Sequence, residues 1–148
     1  MKVVILSTGD IGGGYWAAYR LHKALLEGNI DSVMLVQDKK SGDSTVITVN
    51  NKFNKYINDI RASIDGLPVK IYSERSKTLF SPSWLGFSKI ANVINDLNPD
   101  VVHFHWICGG MLNINSILRI KAPIVWSLHD MWPFTGGCHY DENCGLYK

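Results

Sequence analysis

Short apolar runs alternate along this chain with longer segments in which apolar residues recur every three or four positions. Residues 3–7 and 32–37 are nearly continuous apolar runs, as is typical of parallel strands that are buried on both faces. Between them, residues 15–27 have helical spacing, with an apolar face formed by Ala17, Leu21, Ala24 and Leu25. A strand, a helix and a second strand in this order predict a right-handed crossover with parallel strands.

The same alternation continues towards the end of the chain. Strands are predicted at 46–49, 69–72, 101–105 and from residue 124 onward, helices at 51–64, 86–96 and 113–120, and irregular structure at 73–85. Helix-length segments between the strands indicate a sheet with helices on both faces. The predicted fold class is therefore α/β, a Rossmann-like doubly wound parallel sheet in one domain.

Composition and charge narrow the possible functions. The chain has 148 residues, of which 46% are hydrophobic and 19% charged, which fits one globular domain. Its net charge of +2 favours no nucleic-acid partner. The N-terminal apolar run is only long enough for a strand, and no apolar run approaches the roughly 20 residues of a membrane span. We therefore expect a cytoplasmic protein whose three cysteines are free thiols.

A glycine-rich turn follows the first predicted strand. Gly12, Gly13 and Gly14 stand at the start of the first helix, where small residues permit close approach and backbone N–H groups favour an anion such as phosphate. Residues 12–17 also satisfy the G-x-G-x-x-G/A pattern, and Asp38 ends the second strand, where a ribose-binding acid would lie. A dinucleotide site and a simple tight turn both remain open.

Two histidines alternate along the strand predicted at 101–105. His103 and His105 face the same side of the sheet, and Trp106 follows at the carboxyl end. A hydrogen-bonded core position is the favoured interpretation for His103, whereas His105 and Trp106 are candidates to line a cleft. A metal pair is the weaker alternative, since no third ligand lies nearby in the sequence.

Polar and aromatic residues also follow the last predicted strand. His129 and Asp130 lie at its carboxyl end, the edge at which α/β sheets bind ligands. Histidine suits a hydroxyl-rich ligand, and Asp130 is a candidate to orient it or to bind a hydroxyl. Trp132 and Phe134 fit either stacking on a ligand or closing the top of the core. The chain contains no G-x-S-x-G motif, so a hydrolase triad is not predicted.

The last segment contains two cysteines and a histidine. Cys138, His139 and Cys144 are residue types that bind zinc, but Cys108 is far away in sequence and a tetrahedral site needs more ligands. We therefore predict no metal site in this chain. Cys138 and Cys144 are weak candidates for metal ligands. Because the chain stops within this loop, we expect residues 1–148 to be part of a longer protein.

Three segments together resemble a known family. The glycine turn with its helix, residues 100–106 and residues 127–140 are similar to the N-terminal half of family 4 glycosyltransferases of the GT-B fold. The resemblance is greatest to bacterial members that build capsular, exopolysaccharide or lipopolysaccharide chains. It implies two Rossmann-like domains that face a cleft. The domain in residues 1–148 would hold the acceptor, and an absent C-terminal domain would hold the donor with two glutamates eight residues apart.

The resemblance also implies roles for individual residues. His129 would contact the transferred sugar with support from Asp130, and the remaining members of the binding set would be Gly12, Gly13, Gly14, His105, Trp106 and Trp132. The intact enzyme would transfer a hexosyl group from a nucleotide-sugar to a glycan or lipid-linked acceptor, with retention and without a required cofactor. Association with the inner face of the cell membrane is a further expectation for the intact protein.

Two other function classes remain open. The glycine pattern and Asp38 also fit an NAD(P)-dependent oxidoreductase or another nucleotide-binding module. The exposed aromatic residues expected in the last segment fit a non-enzymatic docking module. The resemblance further leaves open a zinc or thiol-based clip that contains Cys138 and Cys144 in the intact protein.

Overall fold

A computed structural model describes residues 1–49, 55–73 and 78–141 of the chain. Within them lies one five-stranded parallel sheet with strands β1 (Lys2–Gly9), β2 (Asp31–Asp38), β3 (Val46–Thr48), β4 (Val101–Phe104) and β5 (Ile124–Trp126). The α-helices are α1 (Tyr15–Glu27), α2 (Lys55–Asp65), α3 (Ile90–Asp96), α4 (Ile114–Ile117) and α5 (Trp132–Thr135). The residues predicted as helix at 51–54 lie outside the described ranges.

The strand order places β1 at the centre of the sheet. The order is β3-β2-β1-β4-β5, and every neighbouring pair is parallel. Strands β2 and β3 extend the sheet to one side of β1, whereas β4 and β5 extend it to the other. The order therefore reverses between β1 and β4, and a crevice opens there at the carboxyl ends. This topology confirms the predicted Rossmann-like α/β fold.

Alternate residues of β1 belong to two separate hydrophobic cores. Val4 and Leu6 are fully buried in the core that contains α3, and Val3 and Ile5 lie in the core that contains α1. Successive side chains of a strand point to opposite faces, so a central strand covered on both sides must be apolar at every position. This requirement explains the continuous apolar run of residues 3–7.

The apolar face predicted for α1 is partly wrong. Ala17 and Ala24 are exposed, whereas Ala18 and His22 are fully buried. His22 is accommodated because its two ring nitrogens bond the hydroxyls of Ser32 and Thr45, each at 2.8 Å. A histidine with both nitrogens satisfied can occupy a core position that hydrophobic spacing alone assigns to the polar face.

The strand predicted at 69–72 is also wrong. The structure has a 3-10 helix at Leu67–Ile71. Ile71 is 84% exposed and Tyr72 is 70% exposed, so the β-branched residues that suggested a strand have no core to cover.

The helix predicted from residue 86 begins later, at Ile90, because the N–H of Phe87 bonds the carbonyl of Met111. The one-turn helix α5 was not predicted. No described helix combines the length and the apolar character needed to cross a membrane.

Gly86 marks a close approach between two backbone segments behind β4. A Cβ atom at this position would lie 2.5 Å from the backbone nitrogen of Asn113. We predict that Gly86→Ala lowers the free energy of unfolding by about 1–3 kcal/mol, because the backbone must move to relieve the overlap. Gly42→Ala is the matched control, since nothing lies within 4 Å of its added methyl group. Urea denaturation of both variants measures the difference, and equal stabilities would contradict this account.

Candidate functional site

The glycine turn is open at its tip. Gly12 and Gly13 have φ angles of 99° and 49°, a region that L side chains rarely adopt. Nothing lies within 4 Å of the position of a Cβ atom on Gly12, Gly13 or Gly14. Gly14 caps the N-terminus of the 13-residue helix α1 without any side-chain cap. The turn therefore presents accessible backbone at a helix N-terminus, as an anion site requires.

Asp10 holds this turn in place and was not identified from the sequence. Its fully buried carboxylate accepts hydrogen bonds from the backbone N–H groups of Lys40 (2.8 Å) and Ser41 (3.0 Å). Burial by itself would raise the pKa of Asp10, but the hydrogen bonds from Ser41 and Lys40 outweigh it and lower the pKa. The carboxylate thus joins the glycine turn to the loop after β2. An acidic residue between the end of a buried strand and a glycine-rich turn is the sequence signal that could have identified it.

A cavity of about 290 Å³ lies below the glycine turn. Its wall is formed mainly by Gly9, Ile11, Tyr15, Asp38, Lys40 and Trp106. The Asp38 carboxylate lies 3.4 Å from the Lys40 ammonium, and the rings of Tyr15 and Trp106 lie 6.3 Å apart. Burial and the nearby Asp38 raise the pKa of Tyr15, so its hydroxyl remains a donor. The cavity thus offers aromatic faces with charged and hydroxyl groups, a combination suited to a polar ring-shaped ligand.

Three histidine rings lie side by side at the ends of β4 and β5. His103 Nε2 is 2.8 Å from Ser127 Oγ, and His105 Nδ1 is 2.9 Å from His129 Nε2. His105 is 5% exposed, whereas His129 is exposed. His103 is hydrogen-bonded as predicted, but it is half-buried rather than in the core, because it lies near the end of β4. His105 is nearly buried beside His129, and both residues line a small cleft, as was expected of His105.

Burial changes the protonation of the two inner rings. It lowers the pKa of His103 below its ordinary value, with a further contribution from His129. Burial, together with His103 and His129, lowers the pKa of His105 to about 4. Both rings are therefore neutral at physiological pH, and His129 stands in front of a neutral imidazole.

Asp130 does not orient His129, which corrects one of the sequence-based expectations. Its Oδ2 atom accepts from Trp106 Nε1 at 3.0 Å and contacts His139 Nδ1 at 2.5 Å, and its Oδ1 atom accepts from the backbone N–H of Trp132 at 3.0 Å. These three donors satisfy the carboxylate, and none of them belongs to the His105–His129 pair, although Asp130 borders the same small cleft. Asp130 consequently contributes to the site through Trp106.

The other predicted aromatic residues separate into two groups. Trp132 is 7% exposed, lies in the core beside Trp126, and donates from Nε1 to the carbonyl of Ser81 at 2.8 Å. It therefore closes the top of the core, one of the two interpretations given above. Phe134 is 63% exposed. Of the predicted aromatic residues, Trp106 alone lines the cavity.

A Ser–His–Asp chain lies inside this region. Ser81 Oγ is 2.8 Å from His139 Nε2, and His139 Nδ1 contacts Asp130. The order matches a hydrolase triad, but His139 is fully buried and Ser81 is 6% exposed, so no substrate carbonyl can reach the hydroxyl. Sequence reasoning missed Ser81 because it lies in an irregular segment. That segment is joined to the later loop by a bridge between Phe80 and Cys138.

The cysteines take no part in a metal cluster within the described residues. Cys108 is buried and Cys138 is half-buried, whereas Cys144 lies outside the described ranges. Burial and the nearby Asp130 raise the pKa of Cys108 to about 12, so it is a thiol rather than a thiolate. In the described part of the chain, no three His, Cys, Asp or Glu side chains are grouped so as to hold a metal ion.

The buried histidines make stability depend on pH. Burial lowers the pKa of His22, as it does for His103 and His105, below the value of about 6.5 expected in the unfolded chain. The unfolded state therefore binds more protons below that pH, and the free energy of unfolding falls as the pH is lowered. We predict a lower stability at pH 5.5 than at pH 7.5 in urea denaturation. The His105→Asn variant should show a smaller loss over the same interval. A stability that rises towards pH 5.5 would contradict the neutral state of these rings.

Comparisons with known proteins identify the family. The model of the glycosyl transferase 4-like family matches residues 35–140, which include both histidine segments. A curated relative, the putative colanic acid biosynthesis glycosyl transferase WcaC of Escherichia coli strain K12, is 24% identical over 147 residues. That alignment covers 93% of this chain but 35% of the relative's length. No solved structure matches the chain significantly. Because the family model covers well over half of it, the chain belongs to the glycosyl transferase 4-like family.

Proposed function

We propose that this chain is the N-terminal, acceptor-side domain of a retaining glycosyltransferase. The intact protein would transfer a hexosyl group from a nucleotide-sugar to a glycan or lipid-linked acceptor in the synthesis of a cell-surface polysaccharide. Family membership supports glycosyl transfer, and the relative's name supports a role in polysaccharide synthesis. By intact protein we mean the natural polypeptide that contains these residues.

The observation that carries this proposal is the position of His129. It is exposed at the carboxyl end of the sheet, and Trp106 lines both a small cleft beside His129 and the larger cavity below the glycine turn. In the proposed complex, the acceptor sugar occupies the larger cavity, with its hydroxyls near Asp38 and its ring near Trp106. The open backbone of Gly13 and Gly14 faces the donor diphosphate, and His129 donates a hydrogen bond to the transferred sugar.

A second domain completes the proposed enzyme. The chain spans about a third of the length of the curated relative it matches. We assign the nucleotide-sugar to a C-terminal domain with two glutamates eight residues apart. The reaction would need no metal or other cofactor, and the cleft between the domains would exclude water. The proposed location is the cytoplasm, at the inner face of the membrane when the acceptor is lipid-linked.

The other two function classes receive less support. An NAD(P)-dependent oxidoreductase would use the glycine turn and Asp38, but membership of the glycosyl transferase family favours sugar transfer over hydride transfer. A docking module would depend on exposed aromatic residues such as Phe134. It would give no reason for a histidine pair at the carboxyl edge of the sheet.

The main test compares three preparations in a sugar-transfer assay. We expect turnover by the intact protein, loss of about 10²-fold or more in kcat for intact His129→Ala, and no turnover by the isolated chain of 148 residues. The reason is that His129 lies at the proposed reaction centre and the donor-binding groups lie on the second domain. Lys89→Ala, at an exposed position before α3, is the control and should leave turnover unchanged. Transfer by the isolated chain would refute the division between domains, and full activity of His129→Ala would refute its role.

Gly14 permits a separate test of the glycine turn. Its φ angle is −68° and nothing lies within 4 Å of an added Cβ atom, so Gly14→Ala should leave the free energy of unfolding unchanged or slightly raised. In the intact protein we predict a fall of about ten- to hundredfold in kcat/KM, because the methyl group would displace a ligand from the helix N-terminus. Unchanged kcat/KM in a stable variant would show that no ligand approaches this turn closely.

A further inference from the structure

A line of hydrogen bonds joins three segments that are far apart in sequence. It runs from Ser81 through His139 and Asp130 to the indole of Trp106, with distances of 2.8, 2.5 and 3.0 Å. The segments that contain Ser81 and His139 are also joined through their backbones. The N–H of His139 bonds the carbonyl of Leu79, and the N–H of Ser81 bonds the carbonyl of Gly137.

The hydrogen-bond partners of His139 determine which of its ring nitrogens carries a proton. An aspartate carboxylate accepts hydrogen bonds but does not donate them, and an indole N–H only donates. His139 therefore carries its proton on Nδ1 and donates it to Asp130. The free Nε2 then accepts the hydroxyl proton of Ser81. Each member of the line thus has a single direction of donation, which favours one arrangement of the loop.

Within this line, Trp106 is the member that borders the cavity below the glycine turn. His139 is fully buried and Ser81 is nearly so, whereas Asp130 and Trp106 are half-buried and both border the small cleft beside His129. The backbone of Trp106 is held as well. The carbonyl of Trp106 accepts from the N–H of Thr8 at 2.7 Å and from its hydroxyl at 3.1 Å.

We infer that His139 is a positioning residue that, through Asp130, holds the Trp106 indole at the angle needed to bind the acceptor sugar. This inference rests on the proposed function, because it takes the cavity as the acceptor site. His129, the residue proposed to contact the transferred sugar, is held separately by His105. A loosened indole should therefore weaken acceptor binding more than it slows the chemical step, since a preorganised site loses affinity when its groups become mobile.

The test uses three variants of the intact protein. His139→Leu removes the donor to Asp130, and we expect it to raise the acceptor KM about tenfold or more with a smaller change in kcat. His139→Asn keeps an N–H donor close to the Nδ1 position and should restore most of the affinity. His22→Leu is the matched control, because His22 is equally buried and bonded through both nitrogens but lies against the other face of the sheet. It should leave the acceptor KM unchanged.

A second measurement requires no turnover, and its first part requires no variant. In the unmodified protein labelled with nitrogen-15 in its histidines and tryptophans, NMR should show His139 protonated on Nδ1 and not on Nε2. The Trp106 indole N–H resonance should shift in His139→Leu and keep its position in His139→Asn and His22→Leu.

Each outcome either supports or overturns the inference. The opposite tautomer of His139, an unchanged Trp106 resonance in folded His139→Leu, or an equal rise in KM for His22→Leu would overturn it. If the tautomer and the Trp106 shift are found but no variant and no wild-type protein transfers sugar, the proposed function fails and the structural link stands.

Discussion

Trp106 is the residue at which the parts of the site are held together. Its backbone carbonyl is bonded to Thr8 at the end of β1, and its indole nitrogen is bonded to Asp130 after β5. The ring itself lines the cavity below the glycine turn and lies near Tyr15 at the start of α1. The ends of β1, β4 and β5 therefore meet at one residue. Moving any of them displaces the wall on which a ligand would rest.

Three buried polar groups carry much of this organisation, and hydrogen bonds offset the cost of burying them. Asp10 is satisfied by two backbone N–H groups, His22 by two hydroxyls, and His139 by a carboxylate and a hydroxyl. An unpaired buried donor or acceptor costs about 1–3 kcal/mol, so arrangements of the chain that break these pairings are less stable. They specify one arrangement of the loops around the site, in addition to the apolar contacts that those loops make with the core.

The fold followed from the sequence because its signal is local and repeated. A central parallel strand must be apolar on both faces, and the run at residues 3–7 shows this directly. Helix α1 has its predicted bounds, and its end follows from Asn29, which adopts a φ of 57° while the N–H of Ile30 bonds the carbonyl of Leu25. The errors occurred where burial depends on distant partners. The apolar face predicted for α1 did not include the buried His22, and the exposed residues at 69–72 were predicted as a strand.

The sequence by itself determined the alternation of the five sheet strands with helices, the glycine turn and the carboxyl edge of the sheet as the place for His105, Trp106, His129 and Asp130. These features could be predicted because hydrophobic periodicity and glycine-rich turns each involve only a few neighbouring residues. Only the tertiary structure decided the partners of those side chains. Ser81 and His139 are 58 residues apart, and Trp106 and Asp130 are 24 apart, so no local pattern pairs them. Hydrogen bonds depend on distance and angle in space, and folding alone sets these between distant segments.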